Sequence, residues 1–137
     1  MILLDTHPLI WFSQGDERLG KQTRRLIIDC SGRDDVLLSP ISFWEVAMLV
    51  RKGRVSLGMS THAWATAIQA SNRMRIADLS PAATVDAGEL PDDIHGDPAD
   101  RLLIATARSS GCTIVTADRK ILGYGKAGHV RVIDARL

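Results

Sequence analysis

Apolar positions in this chain fall into short unbroken runs set between longer stretches of helical period. Residues 1–4, Val36–Leu38 and Thr113–Thr116 are runs of apolar or β-branched side chains, the pattern of strands covered on both faces in a parallel sheet, and residues 130–133, apolar except for Arg131, close the chain as a last strand. Between them the spacing changes to that of helices. Leu9-Ile10-Trp11-Phe12 opens one, and residues 20–31 form another with Leu26, Ile27 and Cys30 inward and Lys21, Arg24 and Arg25 outward. Ser39-Pro40 is a helix start whose apolar pattern runs to about residue 52, followed by a helix over 61–72 with Trp64, Ala67 and Ile68 on one side. Residues 74–79 read as a short edge strand, and Ser80-Pro81 starts a helix ending near residue 90. The clearest helix is 98–110, with Asp97 as N-cap, Pro98 at its first position and Gly111 as its stop. Strands alternating with helices predict a three-layer α/β/α fold around a central parallel sheet of four to five strands. Residues 1–137 are expected to form one domain.

Composition narrows the picture. The hydrophobic share of 45% and charged share of 24% are those of an ordinary globular protein, not a disordered or fibrous one. A formal net charge of +1 means that any nucleic-acid role must rest on local patches. Cys30 and Cys112 lack the spacing of zinc or redox motifs and read as unpaired thiols; with no secretory-type N-terminal stretch, this leads to the expectation of a cytoplasmic protein. No apolar run approaches the length of a membrane span.

Acids at unexpected positions supply the candidate chemistry. Asp5 ends the first strand, the place where open α/β sheets bind ligands, although it could equally cap the next helix. Glu45 is the only charge between Val36 and Val50 and shares a helix face with Ile41, Met48 and Leu49. A capping box with Ser42 would explain it if the helix began late; a buried acid with a purpose is the other reading. Asp100 precedes Leu103, Ile104 and Ala107 by three, four and seven residues, so it lies on the apolar stripe of its helix, where an ionised carboxylate needs a partner. Asp118 again follows a strand. The predicted topology brings these four acids to one edge of the sheet. Two like charges about 4 Å apart repel by about 4 kcal/mol at an effective dielectric near 20, so such a cluster calls for a cation. Mg²⁺, or Mn²⁺, suits an all-oxygen set of this kind, and phosphodiester hydrolysis is the chemistry it best supports. The cations nearest this edge or its adjoining helix end, Arg51, Lys52, Arg54, Arg101, Arg119 and Lys120, are candidates for contacts to substrate phosphates. The loop 89–96 carries Asp92, Asp93 and His95, and the histidine reads as a surface residue.

Four blocks extend this reading. Leu4-Asp5-Thr6-His7, Ser39-Pro40-Ile41-Ser42-Phe43-Trp44-Glu45-Val46-Ala47, Asp97-Pro98-Ala99-Asp100-Arg101-Leu102-Leu103-Ile104-Ala105 and Val115-Thr116-Ala117-Asp118 resemble, in order, the signature blocks of PIN-domain ribonucleases. Among these they most resemble the VapC toxins of toxin–antitoxin pairs. The resemblance implies a metal-dependent endoribonuclease in which Asp5, Glu45, Asp100 and Asp118 bind the metal and Thr116 is the accompanying hydroxyl. Asp97 is an extra acid of this subgroup, N-cap first and outer ligand second. The resemblance also implies 5′-phosphate and 3′-hydroxyl products and a cognate antitoxin over the active-site groove. The competing class is a non-catalytic phosphate- or RNA-binding α/β module, receiver-like or adaptor-like; a receiver normally pairs two acids after its first strand, whereas Thr6 and His7 follow Asp5 here. Phe43, Trp44, Met48, Trp64 and Ile68 concentrate large apolar surface on two neighbouring helices, each individually explicable as core. Together they suggest a face for a second subunit, in a homodimer, and for the antitoxin's helix.

Overall fold

A computed structural model describes residues 1–71, 73–92, 94 and 96–137, with Ser71 described by its backbone alone. Five strands, β1 (Ile2–Leu4), β2 (Val36–Leu38), β3 (Arg75–Ile76), β4 (Thr113–Thr116) and β5 (Arg131–Asp134), form a single sheet in the order β3-β2-β1-β4-β5. Every pairing is parallel, with Leu4 opposite both Leu38 and Val115. The helices are α1 (Thr6–Gln14), α2 (Lys21–Ser31), α3 (Pro40–Arg51), α4 (Thr61–Ser71), α5 (Pro81–Gly88), α6 (Pro98–Ser110) and α7 (Arg119–Lys126).

Because successive strand side chains point to opposite faces, the short runs divide their residues between two cores. Ile2, Leu4, Val36, Leu38 and Val115 pack with Leu9, Ile27, Val46, Trp64 and Ile68 from α1 to α4. Leu3, Leu37 and Ile114 pack with Leu103 and Ile104 of α6 and Ile121 and Tyr124 of α7 on the other side. Fully burying a Leu or Ile stabilises by about 1.5–3 kcal/mol, which is why three-residue strands suffice when both faces are covered.

Boundaries follow local chemistry. Ser39, Ser80, Asp97 and Asp118 each cap a helix through a side-chain oxygen, and Gly111 closes α6 in the left-handed conformation at φ 67°. The edge strand expected over 74–79 is only Arg75–Ile76, and its outer position leaves both residues exposed. The last strand begins at Arg131, one residue later than its apolar pattern. The sequence reading passed over α7, whose eight residues include Gly123 and Gly125. Residue 72, the expected end of the fourth helix, and Asp93 and His95 of the loop lie outside the described residues. Both cysteines are buried and unbridged. Among the described residues no helix is long and apolar enough to cross a membrane.

Gly125 sets how closely α7 approaches β5. A Cβ built there would lie 2.4 Å from the Val132 side chain and 3.1 Å from the Val130 carbonyl, whereas one at Gly123 meets nothing within 4 Å. Gly125→Ala should therefore destabilise the fold by about 1–3 kcal/mol through overpacking. Gly123→Ala should leave stability unchanged or raise it by up to about 1 kcal/mol through helix propensity. Urea midpoints of the two variants measure the contrast.

Candidate active site

Strands β1 and β4 run side by side and end together, so the residues that follow them leave the same carboxyl edge of the sheet. The Asp5 backbone N–H donates to the Val115 carbonyl at 3.0 Å, fixing where the first acid emerges. Its two oxygens then divide the roles the sequence left open. Oδ1 accepts from the Thr6 N–H at 2.7 Å as the cap of α1, and Oδ2 accepts from the Thr116 hydroxyl at 2.7 Å. Thr116, fully buried, accepts in turn from the Asp118 N–H at 3.0 Å. Asp118 turns its Oδ1 to the Lys120 and Ile121 N–H groups and so opens α7.

The other acids arrive on helices. Ser39 Oγ accepts from the Ile41 N–H at 3.2 Å, so α3 starts early and the Ser42–Glu45 capping box does not form. Glu45 instead accepts from the Thr6 hydroxyl at 2.6 Å. Thr6 is a site residue that sequence reasoning missed; its only signal was a hydroxyl directly after Asp5. Asp97 Oδ1 accepts from the Ala99 and Asp100 N–H groups, capping α6 and placing Asp100 in its buried first turn.

Asp5, Glu45, Asp97, Asp100 and Asp118 line one cavity of about 370 Å³, together with His7, Trp11 and Ala117. The electrostatics record that crowding. Burial, then repulsion from Asp5, Asp97, Asp118 and Glu45, pushes the Asp100 carboxyl up to about 8. Asp5 is also raised, by burial above all, against the lowering bonds from Thr116 and Thr6. Glu45 is raised by burial, with the Thr6 hydroxyl opposing and Asp5 and Asp97 reinforcing. The five carboxylates of this lining match a hard divalent cation in donor chemistry. Among the described residues no three His, Cys, Asp or Glu side chains form a ready-made metal cage.

The candidate cations separate. Arg119 and Lys120 are exposed on the first turn of α7 beside Asp118, and Arg51, Lys52 and Arg54 are exposed at the end of α3. Arg101 does not belong with them, because its guanidinium donates to the Ala87, Ile94 and Gly88 carbonyls at 2.8, 3.1 and 3.2 Å. It ties α6 to the end of α5. The expected apolar face also shrinks. Trp64 and Ile68 are core residues, the Trp64 N–H donating to Ser13 Oγ at 3.0 Å and its ring packing against Phe43 at 5.7 Å between centroids. Met48 is half-buried, and Trp44 alone of the five is exposed, at 57%.

Comparison with known proteins agrees with this geometry. The PIN domain family pattern matches residues 2–127. Ribonuclease VapC22 of Mycobacterium tuberculosis is 32% identical over 123 residues, covering 90% of this chain and 91% of that protein. Among solved structures, FitAcB from Neisseria gonorrhoeae superposes with a TM-score of 0.59 at 23% identity, over 98% of both chains. A FitAB structure bound to an IR36 DNA fragment superposes with a TM-score of 0.58 at 24% identity, over 100% of this chain and 96% of that one. These two likenesses establish the fold, which is the α/β PIN arrangement. With the family pattern spanning nearly the whole chain and a VapC protein as a full-length relative, the chain belongs to the PIN-domain family, among its VapC-type members.

Proposed function

We propose that this chain, as one domain over residues 1–137, is a Mg²⁺- or Mn²⁺-dependent endoribonuclease acting as the toxin of a toxin–antitoxin pair. The observation that carries the reading is the convergence of five carboxylates on one cavity at the carboxyl edge of the sheet. The naming of its relative VapC22 as a ribonuclease supports RNA as the substrate. Asp5, Glu45, Asp100 and Asp118 would hold the ion, with Asp97 in an outer position. Bound there, a divalent cation supplies charge neutralisation and an acidified water for in-line attack on a phosphodiester, leaving 5′-phosphate and 3′-hydroxyl ends. The chain's own residues do the positioning. Thr116 holds the second oxygen of Asp5, and Thr6 holds Glu45, so neither carboxylate is free to rotate away. Arg119 and Lys120, and at greater distance Arg51, Lys52 and Arg54, are the proposed phosphate contacts beside the cavity. Trp44, exposed one residue before Glu45, is the proposed apolar anchor for the antitoxin or for a second subunit. A cationic antitoxin side chain reaching the carboxylates would inhibit by competing with the metal.

Cleavage of single-stranded RNA by the purified chain tests the reaction. EDTA should abolish it and Mg²⁺ or Mn²⁺ restore it. Thr116→Val, which removes only the hydroxyl, should lower activity by about 10–100-fold, and Asp5→Asn by more. Cleavage that persists in EDTA, or in Asp5→Asn, sinks the metal mechanism; RNA binding without any cleavage favours the adaptor class instead.

The pH dependence has a definite sign. Asp100 titrates near 8 in the folded chain against 3.8 as its ordinary value, so folding favours its protonated form. The stability this group contributes is fully present below about pH 4 and is lost as pH rises through 8. In metal-free protein, Asp100→Asn should match the wild type near pH 4 and become progressively more stable than it toward pH 8. The rise in Tm on adding Mg²⁺ should be larger at pH 8 than at pH 5.5, since the ion must displace the proton. Thermal scans across that range measure both, and parallel curves for wild type and Asp100→Asn would refute the assignment.

A further inference from the structure

Five carboxylates around the reacting position repel the polyanion they are meant to cleave, and the chain as a whole is nearly neutral at +1. RNA must therefore be held by cations somewhere off the cavity. A larger concave surface lies elsewhere: a groove of about 1000 Å³ between the end of α6, α7 and the start of β5. Arg108, Lys126 and Arg131 are among its lining residues, none of the lining is itself acidic, and the lining residue His129 is paired with the Asp92 carboxylate, 2.7 Å from its Nε2. Arg108, Lys126 and Arg131 are exposed, and among the described residues none of the three is in an ion pair. Arg108 also borders a smaller cavity with Asp86 and Glu89 without pairing to either. Both guanidinium groups are held in place by one backbone contact, Arg108 donating to the His129 carbonyl and Arg131 to the Gly111 carbonyl. Each planar fork retains further N–H donors suited to phosphate oxygens. Gly111 and Gly128 line the same groove, at φ 67° and 92°, and their missing side chains let a sugar–phosphate chain come close.

Placement connects the groove to the cavity. Thr113 and Arg131 stand opposite one another where β4 and β5 begin, at the amino edge of the sheet, while the acids stand at its carboxyl edge. Helix α7 joins the two regions. Asp118 at its start lines the cavity, Arg119, Lys120, Gly123 and Lys126 are exposed along it, and Lys126 lines the groove. Asp118 and Lys126 are eight residues apart, roughly 12 Å along a helix, a span a few nucleotides cover. The sequence reading singled out none of the three groove cations, because they are far apart in the chain and each sits in ordinary helix or strand surroundings.

We propose that this groove is a second nucleic-acid site, in which Arg108, Lys126 and Arg131 grip the phosphate backbone of the single-stranded RNA whose scissile bond lies in the carboxylate cavity. The proposal rests on the ribonuclease reading for its substrate, yet its test is independent of cleavage. Binding of a labelled single-stranded RNA long enough to reach both regions is measured by fluorescence anisotropy in EDTA, across a salt series. Each phosphate contact removed flattens the slope of log K against log salt by about 0.7 for single strands. Lys126→Gln should thus flatten it by about 0.7, and the triple variant Arg108→Gln, Lys126→Gln, Arg131→Gln by about 2. In Mg²⁺, the triple variant should raise KM for the long RNA and leave kcat and the cleavage of a dinucleotide diester unchanged. Lys126 is exposed, and among the described residues its side chain is in no ion pair, so Lys126→Gln carries the test alone if the triple variant fails to fold. Slopes that match the wild type overturn the proposal. So does a change in mass by light scattering with the RNA slope intact, which would make the groove an interface for an acidic protein surface. Flattened slopes in a protein that cleaves neither substrate would uphold the groove and defeat the nuclease reading instead.

Discussion

Mutual repulsion among buried carboxylates is the constraint on which this structure turns. Asp5 and Asp100 are nearly inaccessible to water, and the charge on Asp100 is disfavoured first by burial and then by four neighbouring acids. Two features of the fold hold the acids together nonetheless. Backbone bonding leaves Asp5 little choice of position, because its N–H closes the β1–β4 ladder. Three of the acids are also helix N-caps: Asp5 for α1, Asp97 for α6 and Asp118 for α7. Each helix start contributes about half a positive charge and unsatisfied N–H donors, so three of them aimed at one cavity offset part of the clustered negative charge.

That double duty explains what the sequence could and could not disclose. For Asp5 capping did not exclude a place among the clustered acids, since Oδ1 caps α1 while Oδ2 accepts from Thr116 and the residue lines the carboxylate cavity. Asp100 was legible because a carboxylate on an apolar stripe contradicts the helix period around it. Glu45 was legible as the sole charge in its segment, while its hydroxyl partner Thr6, 39 positions earlier, was not. Strands with both faces covered were recognisable from unbroken apolar runs. Helix α7 was not, because Gly123 and Gly125 lower helix propensity and only its contact with β5 shows why Gly125 is there. Arg101 was misread for a similar reason: its three carbonyl partners come from α5 and the loop before α6, and nothing in the local pattern announces them. Trp64 and Ile68, each explicable as core, were grouped with a partner face because helical spacing cannot say which neighbouring element covers a face.

Charge along the molecule is arranged in the same logic. A chain carrying 17 Lys and Arg against 16 Asp and Glu could scatter them evenly. Instead five acids line the cavity at the carboxyl edge of the sheet, while the charged side chains lining the open groove that reaches its amino edge, Arg108, Lys126 and Arg131, are all cationic. Net charge conceals this separation, which is a property of topology: parallel strands send all their carboxyl ends, and the capping acids that follow, to one side. The residues entering β5 and leaving α6 are consigned to the other.

The same topology makes the cavity a point of competition. Protons, a divalent cation and a cationic side chain of a partner all relieve the repulsion there, and each can do so only by excluding the others. A proton on Asp100 neutralises one acid while removing an oxygen that could ligate a metal, so occupancy by the proposed ion would rise with pH through the range in which the bare site becomes less stable. A guanidinium from outside would satisfy two carboxylate oxygens at once without bringing a water for hydrolysis. Under the proposed function, catalysis and inhibition would draw on one source of free energy, the mutual repulsion of Asp5, Glu45, Asp97, Asp100 and Asp118. The fold's task is to keep that repulsion from being relaxed by movement of the acids themselves, which is what the bonds from Thr116 to Asp5 and from Thr6 to Glu45 do.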